Sequence, residues 1–180
     1  MKQRIADTLI GMMMEKAYDT ITVSALCAAV PVSRPAFYTY FHSKDDVLLW
    51  FIIEDFRNNL LPFLPLRITV HSSKILFGYI ERNAAVYKAI YAHDQGMLLT
   101  QGFVLAFKDA LRYQDKVRRA DARHLGQISQ DAFLAYVSHR IAAVICCWIQ
   151  EDFSTPSAKI AYELAVMIEH PYTYIVDYYL

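Results

Sequence analysis

Ile5, Leu9, Met12 and Met13 recur at the spacing of one helical face, so the pattern predicts a first amphipathic helix from about Lys2 to Lys16. Val23, Leu26 and Val30 predict a short second helix, with Thr22 placed to cap its N-terminus and Pro31 to end it. Ser33 is placed to cap a third helix, and Pro35 is tolerated in its first turn, where the missing N–H has no intrahelical partner anyway. Ser43 is placed to cap a fourth, with Asp46 three residues on as a shortened capping box and Asp45 favouring the helix dipole. Four helix starts therefore fall within the first forty-five residues.

The fourth helix, Lys44 to about Leu61, carries Val47, Leu48, Leu49, Trp50, Phe51, Ile52, Ile53 and Phe56 around nearly its whole circumference. A helix apolar all round is buried on more than one side, so this one is expected to join the first three helices to a second helical layer. Pro62 and Pro65 close it and place a domain boundary near residues 61 to 70, dividing the chain into residues 1–60 and 61–180. Beyond it the periodicity predicts helices at roughly Ser72 to Asn83, Ala84 to Ala92, Met97 to Gln114, Asp131 to Glu151 and Pro156 to Glu169. The polar stretch from Tyr113 to Gln127 reads as an exposed loop or frayed helix. No run of period-2 alternation reads as a strand, and the expected class is all-α with about nine helices.

Composition narrows the function. Of 180 residues 56% are hydrophobic, and the mean hydropathy is +0.20, which predicts a folded core and apolar surface hidden against a partner. Five glycines, at 11, 78, 96, 102 and 126, do not supply a dinucleotide fingerprint or a phosphate loop. HExxH, CxxC and GxSxG are absent, and no nucleophile, base and oxyanion set assembles, so an enzyme is not expected. His139 and Cys146 share a helix face, with His93 or Asp94 as conceivable further ligands. A seven-residue helical separation puts them ~10 Å apart, and the reading is buried thiols with no metal and no cofactor. Three cysteines and no leader at Met1-Lys2-Gln3-Arg4 suggest the cytoplasm, and the longest uninterrupted apolar runs, Val47 to Ile53 and Ile141 to Ile149, fall short of a membrane span.

Eighteen basic residues balance eighteen acidic ones, so the global charge points to no polyanion. Residues 1–60 alone hold six basic and seven acidic side chains. Yet Thr20 to Lys44 contains no acid at all, while offering Arg34, His42, Lys44 and the hydroxyls of Thr22, Ser33, Tyr38, Thr39 and Tyr40. Three short helices with a tight turn between the second and third describe a helix-turn-helix, whose third helix enters the DNA major groove. Phe37 and Phe41, four apart, face inward. Tyr38, Thr39 and Tyr40 point elsewhere, either as plain surface aromatics or as phosphate and base contacts.

The stretch RIADTLIGMMMEKAYDTITVSALCAAVPVSRPAFYTYFHSKDDVLL resembles the DNA-binding domain of the TetR family of transcriptional regulators. Tyr18, Thr22, Val23, Leu26, Val32, Ser33, the run Phe37-Tyr38-Thr39-Tyr40-Phe41 and Ser43-Lys44 carry it, at the family's spacing. Two departures are Ala17 and Pro31, where the family usually has Gly and so tolerates positive φ. The resemblance implies that Thr22, Ser33, Arg34, Ala36, Tyr38, Thr39, Tyr40 and Lys44 touch double-stranded DNA. Arg34 suits base reading, because its fork matches guanine O6 and N7.

Farther along, Trp148-Ile149-Gln150-Glu151-Asp152-Phe153 with Ser154-Thr155-Pro156 is similar to the C-terminal domain of Firmicutes-type members. Ala135, Ser138, Ala142 and Cys146 form one small-residue stripe, and Ala158, Ala161 and Ala165 another. Spacing alone suits packing within the chain and contact between chains equally. The resemblance favours a homodimer interface involving Ala135, Ala142, Trp148, Ala161 and Ala165. It also implies an effector cavity, for which Tyr79, Tyr87, Phe103, Phe107 and Tyr136 are the candidate walls and a small apolar or aromatic molecule the ligand. The expected function is a homodimeric regulator, a ligand-responsive repressor on a palindromic operator. The rival is a helical protein-interaction module that has lost DNA binding.

Overall fold

The computed structural model describes residues 1–63, 69–118 and 129–169. Among them lie nine α-helices and no strand: α1 (Lys2–Glu15), α2 (Val23–Ala29), α3 (Arg34–Tyr38), α4 (Lys44–Asn59), α5 (Val70–Arg82), α6 (Ala84–Asp94), α7 (Met97–Arg118), α8 (Gln130–Gln150) and α9 (Ser157–Glu169). Single 3-10 turns follow α1 at Tyr18–Thr20 and α4 at Leu61–Phe63. The helices α2, α3 and α4 each start where a side chain supplies an acceptor for an orphan amide: Thr22 to Ala25 N–H, Ser33 to Ala36 N–H and Ser43 to Asp46 N–H. Asp46 reaches one residue farther back than a capping box would, accepting from His42 N–H at 2.8 Å.

The first three helices enclose Ile5, Ala6, Leu9, Met13, Leu26, Val30 and Phe37, with α4 as their floor through Val47 and Leu48. Met12, expected on the buried face of α1, is half-buried against the core, and Ala6 is fully buried beside Ile5. On its other side α4 packs on α7, burying Ile52 and Phe56, with the Phe56 and Phe107 rings edge to face at 4.7 Å. Close approach there requires Gly102, where a Cβ would lie 2.6 Å from Ile52 Cγ2. As expected, α4 joins two layers, and one continuous core runs from Ile5 to Leu164.

In the second layer α5 packs on α9 and α7 on α8. Trp148 ties the far end together: its ring meets Phe77 at 5.2 Å and Phe153 at 4.7 Å, and its indole N–H donates to the Thr155 carbonyl at 2.7 Å. The polar stretch from Tyr113, expected as an exposed loop or frayed helix, begins as helix, since α7 continues to Arg118. Gln, Asp, Lys, Val and Arg contain no helix breaker, so nothing stops it at Gln114. The rest of that stretch, 119–127, lies outside the described residues.

Over Asp131–Gln150 α8 has mean hydropathy 1.7 and is, by length and composition, long and apolar enough to cross a membrane. Counting uninterrupted runs missed this, because His139 and Arg140 break the run without lowering the average enough. Here Ser138, Ile141, Ala142, Ile145, Trp148 and Ile149 of α8 are buried within the protein along one face, while Phe133, Tyr136 and His139 are exposed.

Two backbone positions bear on the sites where the family carries Gly. Ala17 sits at φ −58° and ψ 135°, open to any residue. Pro31, after α2, stands at φ +25°, far from the value near −65° that its ring prefers. The turn between α2 and α3 thus keeps positive φ and places the strain on Pro31.

Candidate nucleic-acid interface

The stretch from Thr22 to Lys44 comprises α2, α3 and the first residue of α4, and it exposes Thr22, Ser33, Arg34, Tyr38, Thr39 and Tyr40. Arg34 is the first residue of α3, exposed, and forms no ion pair with any described residue. Tyr38 and Tyr40 are exposed while Phe37 and Phe41 are buried, which is the division expected from their spacing. Ala36 is half-buried between them and Thr22, Ser33 and Thr39 are exposed. The Thr22 and Ser33 oxygens accept backbone amides, leaving their hydroxyl hydrogens for a phosphate oxygen. Thr39 differs: its hydroxyl donates to the Ala36 carbonyl at 2.6 Å, so its hydrogen is already committed.

The acids that end the acid-free stretch are turned to internal use. Asp46 accepts the His42 amide and Asp45 accepts the Tyr18 hydroxyl. Lys44 is half-buried and held in place: its Nζ donates to the Tyr18 carbonyl at 2.9 Å and lies 4.0 Å from the centre of the Tyr18 ring. Tyr18 is therefore the residue that positions Lys44, a role that spacing did not suggest. Burial, and then the Asp45 carboxylate, push the Tyr18 phenol well above its usual range, so it stays a neutral donor.

The candidate effector residues divide. Tyr79 of α5 and Tyr87 of α6 both donate to Asp55 of α4, each at 2.6 Å. The Tyr87 ring lies 5.8 Å from Phe103, which lies 6.2 Å from Phe107. These four converge beneath α4. Tyr136 does not join them: it is 55% exposed on α8, its hydroxyl accepting from Arg140 at 3.0 Å. Asp55 was not singled out from the sequence; an acid within an apolar helix was the available signal.

The candidate dimer residues are mostly interior. Ala142, Trp148, Ala161 and Ala165 are buried within the single chain, and Ala135 is half-buried. The small-residue stripes let helices of one chain approach each other closely. On α8 and α9 the exposed large apolar side chains are Phe133, Tyr136 and Tyr162.

Comparison with known proteins bears on the N-terminal segment and on the fold. Residues 5–49 match the family model described as bacterial regulatory proteins, tetR family. The chain is 23% identical over 148 residues to the HTH-type dhaKLM operon transcriptional activator DhaS of Lactococcus lactis subsp. lactis (strain IL1403), covering 82% of this chain and 76% of that protein. Among solved structures it is similar to a dihydroxyacetone kinase operon activator DhaS, with TM-score 0.55 and 19% identity over 93% of each chain. It is also similar to a fatty acid degradation regulator FadR from Bacillus halodurans, with TM-score 0.53 and 15% identity over 96% of each chain. These two likenesses are of fold. Residues 5–49, a quarter of the chain holding most of α1, all of α2 and α3 and the start of α4, are thus similar to bacterial regulatory proteins of the tetR family.

Proposed function

We propose that the chain is a DNA-binding transcriptional regulator that acts as a homodimer on a palindromic operator. The observation that carries this reading is the stretch from Thr22 to Lys44, which contains no acidic residue and has Arg34 exposed and outside any ion pair on α3 and Lys44 fixed at the start of α4. A phosphate backbone meets donors there, and Arg34 reaches base edges from a helix N-terminus. No catalytic role is proposed. Residues 1–60 supply the DNA-binding domain and 61–180 the sensing and dimerising part.

The homodimer uses the outer faces of α8 and α9, where Phe133, Tyr136 and Tyr162 stand exposed. Symmetric pairing there sets two recognition helices against two half-sites. An effector acts on the cluster around Asp55, because α4 carries both Asp55 and Lys44 and so links that cluster to the DNA face. A small apolar or aromatic molecule with one hydrogen-bond donor suits it, shifting operator affinity by its differential affinity for two states. Repression by occupancy needs nothing beyond operator binding, and it is the sign proposed; the relative DhaS is named an activator.

Footprinting of the purified protein on DNA flanking its own gene tests the reading. A protected palindrome supports it. Its absence at low salt supports instead a helical interaction module that has lost DNA binding. A reporter fused to the protected promoter then gives the sign of regulation.

A further inference from the structure

His93 closes the last turn of α6, in the C-terminal part of the chain, yet its ring lies in the helix-turn-helix domain's contacts. Its centroid is 3.8 Å from that of Tyr18. Nδ1 faces the Asp19 carboxylate at 3.6 Å, and Nε2 faces that of Asp45 at 3.5 Å. Asp19 belongs to the 3-10 turn after α1 and Asp45 to the first turn of α4, so one imidazole lies between two separate elements of the DNA-binding domain.

A neutral imidazole has one donor and one acceptor nitrogen. Whichever tautomer forms, one nitrogen turns a lone pair toward a carboxylate that also offers only lone pairs. Nδ1 is indeed buried without a hydrogen-bond partner. Only the imidazolium points an N–H toward both acids. Around it stand, from the 3-10 turn, the Tyr18 hydroxyl, which donates to Asp45; from α4, Lys44, which is held by Tyr18; from α6 itself, Asp94, whose oxygens accept from Gly96 and Leu98 N–H; and from α8, Cys146, a neutral thiol that interacts with Asp94. From α1, which also packs on α6, Glu15 and Lys16 are exposed and outside ion-pairing distance.

We propose that His93 is a pH-gated latch between the two parts of the chain: protonated, it bridges Asp19 and Asp45 and fixes the Tyr18–Lys44 pair against α6; neutral, it releases them. This goes beyond the proposed function and does not depend on DNA binding, because its readout uses the protein alone.

The test is amide hydrogen exchange, corrected for intrinsic rates, at pH 6 and pH 8, where imidazole ordinarily changes charge. The reporters are the Thr20 and Ile21 amides, bonded to the Ala17 and Tyr18 carbonyls, and the Asp46 amide, bonded to Ser43. The wild-type protein is expected to protect them roughly two- to fivefold more at pH 6. In His93→Gln, which keeps a donor but cannot charge, the difference disappears. In Asp19→Asn, whose site is exposed and leaves the fold intact, it shrinks at Thr20 and Ile21. No pH difference in the wild type, a difference that survives in His93→Gln, or one unchanged at Thr20 and Ile21 in Asp19→Asn overturns the latch.

Discussion

The Tyr87 hydroxyl, inside α6, donates at 2.6 Å to Asp55 on α4, the helix whose first residue is Lys44. Tyr79 donates to the same carboxylate from α5, and no lysine or arginine pairs with it among the described residues. One acid thus organises three helices through neutral phenols.

That arrangement has an alkaline consequence. Burial first, and the adjacent carboxylates next, raise the phenols of Tyr18, Tyr79 and Tyr87 above the ordinary value of 10.0. Above pH 10 the unfolded chain loses these protons while the folded chain keeps them, so stability is complete below pH 10 and falls as pH rises past it. Urea midpoints should drop steeply from pH 10 to 11, and less steeply in Tyr87→Phe. Absorbance at 295 nm should show these phenols ionising only with unfolding. Equal slopes in wild type and variant would disprove the coupling.

The dimer prediction moves outward from the small-residue stripes. Tyr136→Glu, at an exposed position of α8, should give a folded monomer by light scattering with unchanged helical circular dichroism. Ala142→Glu, at a position fully buried within one chain, should instead lose about 3 kcal/mol or more of folding stability. A dimeric Tyr136→Glu places the interface elsewhere.

How far the sequence was legible depended on whether the signal was local. Thr22, Ser33 and Ser43 cap as their positions require, and Phe37 and Phe41 are buried, because caps and one helical face are set within a few residues. Lys44, Tyr18 and His93 come together across twenty-six and more residues, and no spacing rule reports that. Ala142 and Ala161 illustrate another limit: a small-residue stripe signals close helix contact without saying whether both helices belong to one chain. Tyr136, a candidate cavity wall by resemblance, faces solvent instead, because a resemblance does not fix the direction of a single side chain.

Arg34→Ala should cost about 1–3 kcal/mol on the footprinted operator and relax discrimination at one base position, since its guanidinium is exposed and unpaired at the start of α3. Affinity measured across single-base operator variants checks this. A uniform loss at all variants would make Arg34 a phosphate contact instead.

The most direct measurement of the central claim is operator binding by fluorescence anisotropy as a function of salt, for the wild type and Lys44→Ala. If the face from Thr22 to Lys44 grips the phosphate backbone, log K falls linearly with log salt, and Lys44→Ala weakens binding to every sequence while lowering the slope by about one. Identical slopes and affinities in the two proteins, or no binding by the wild type even at low salt, would contradict it.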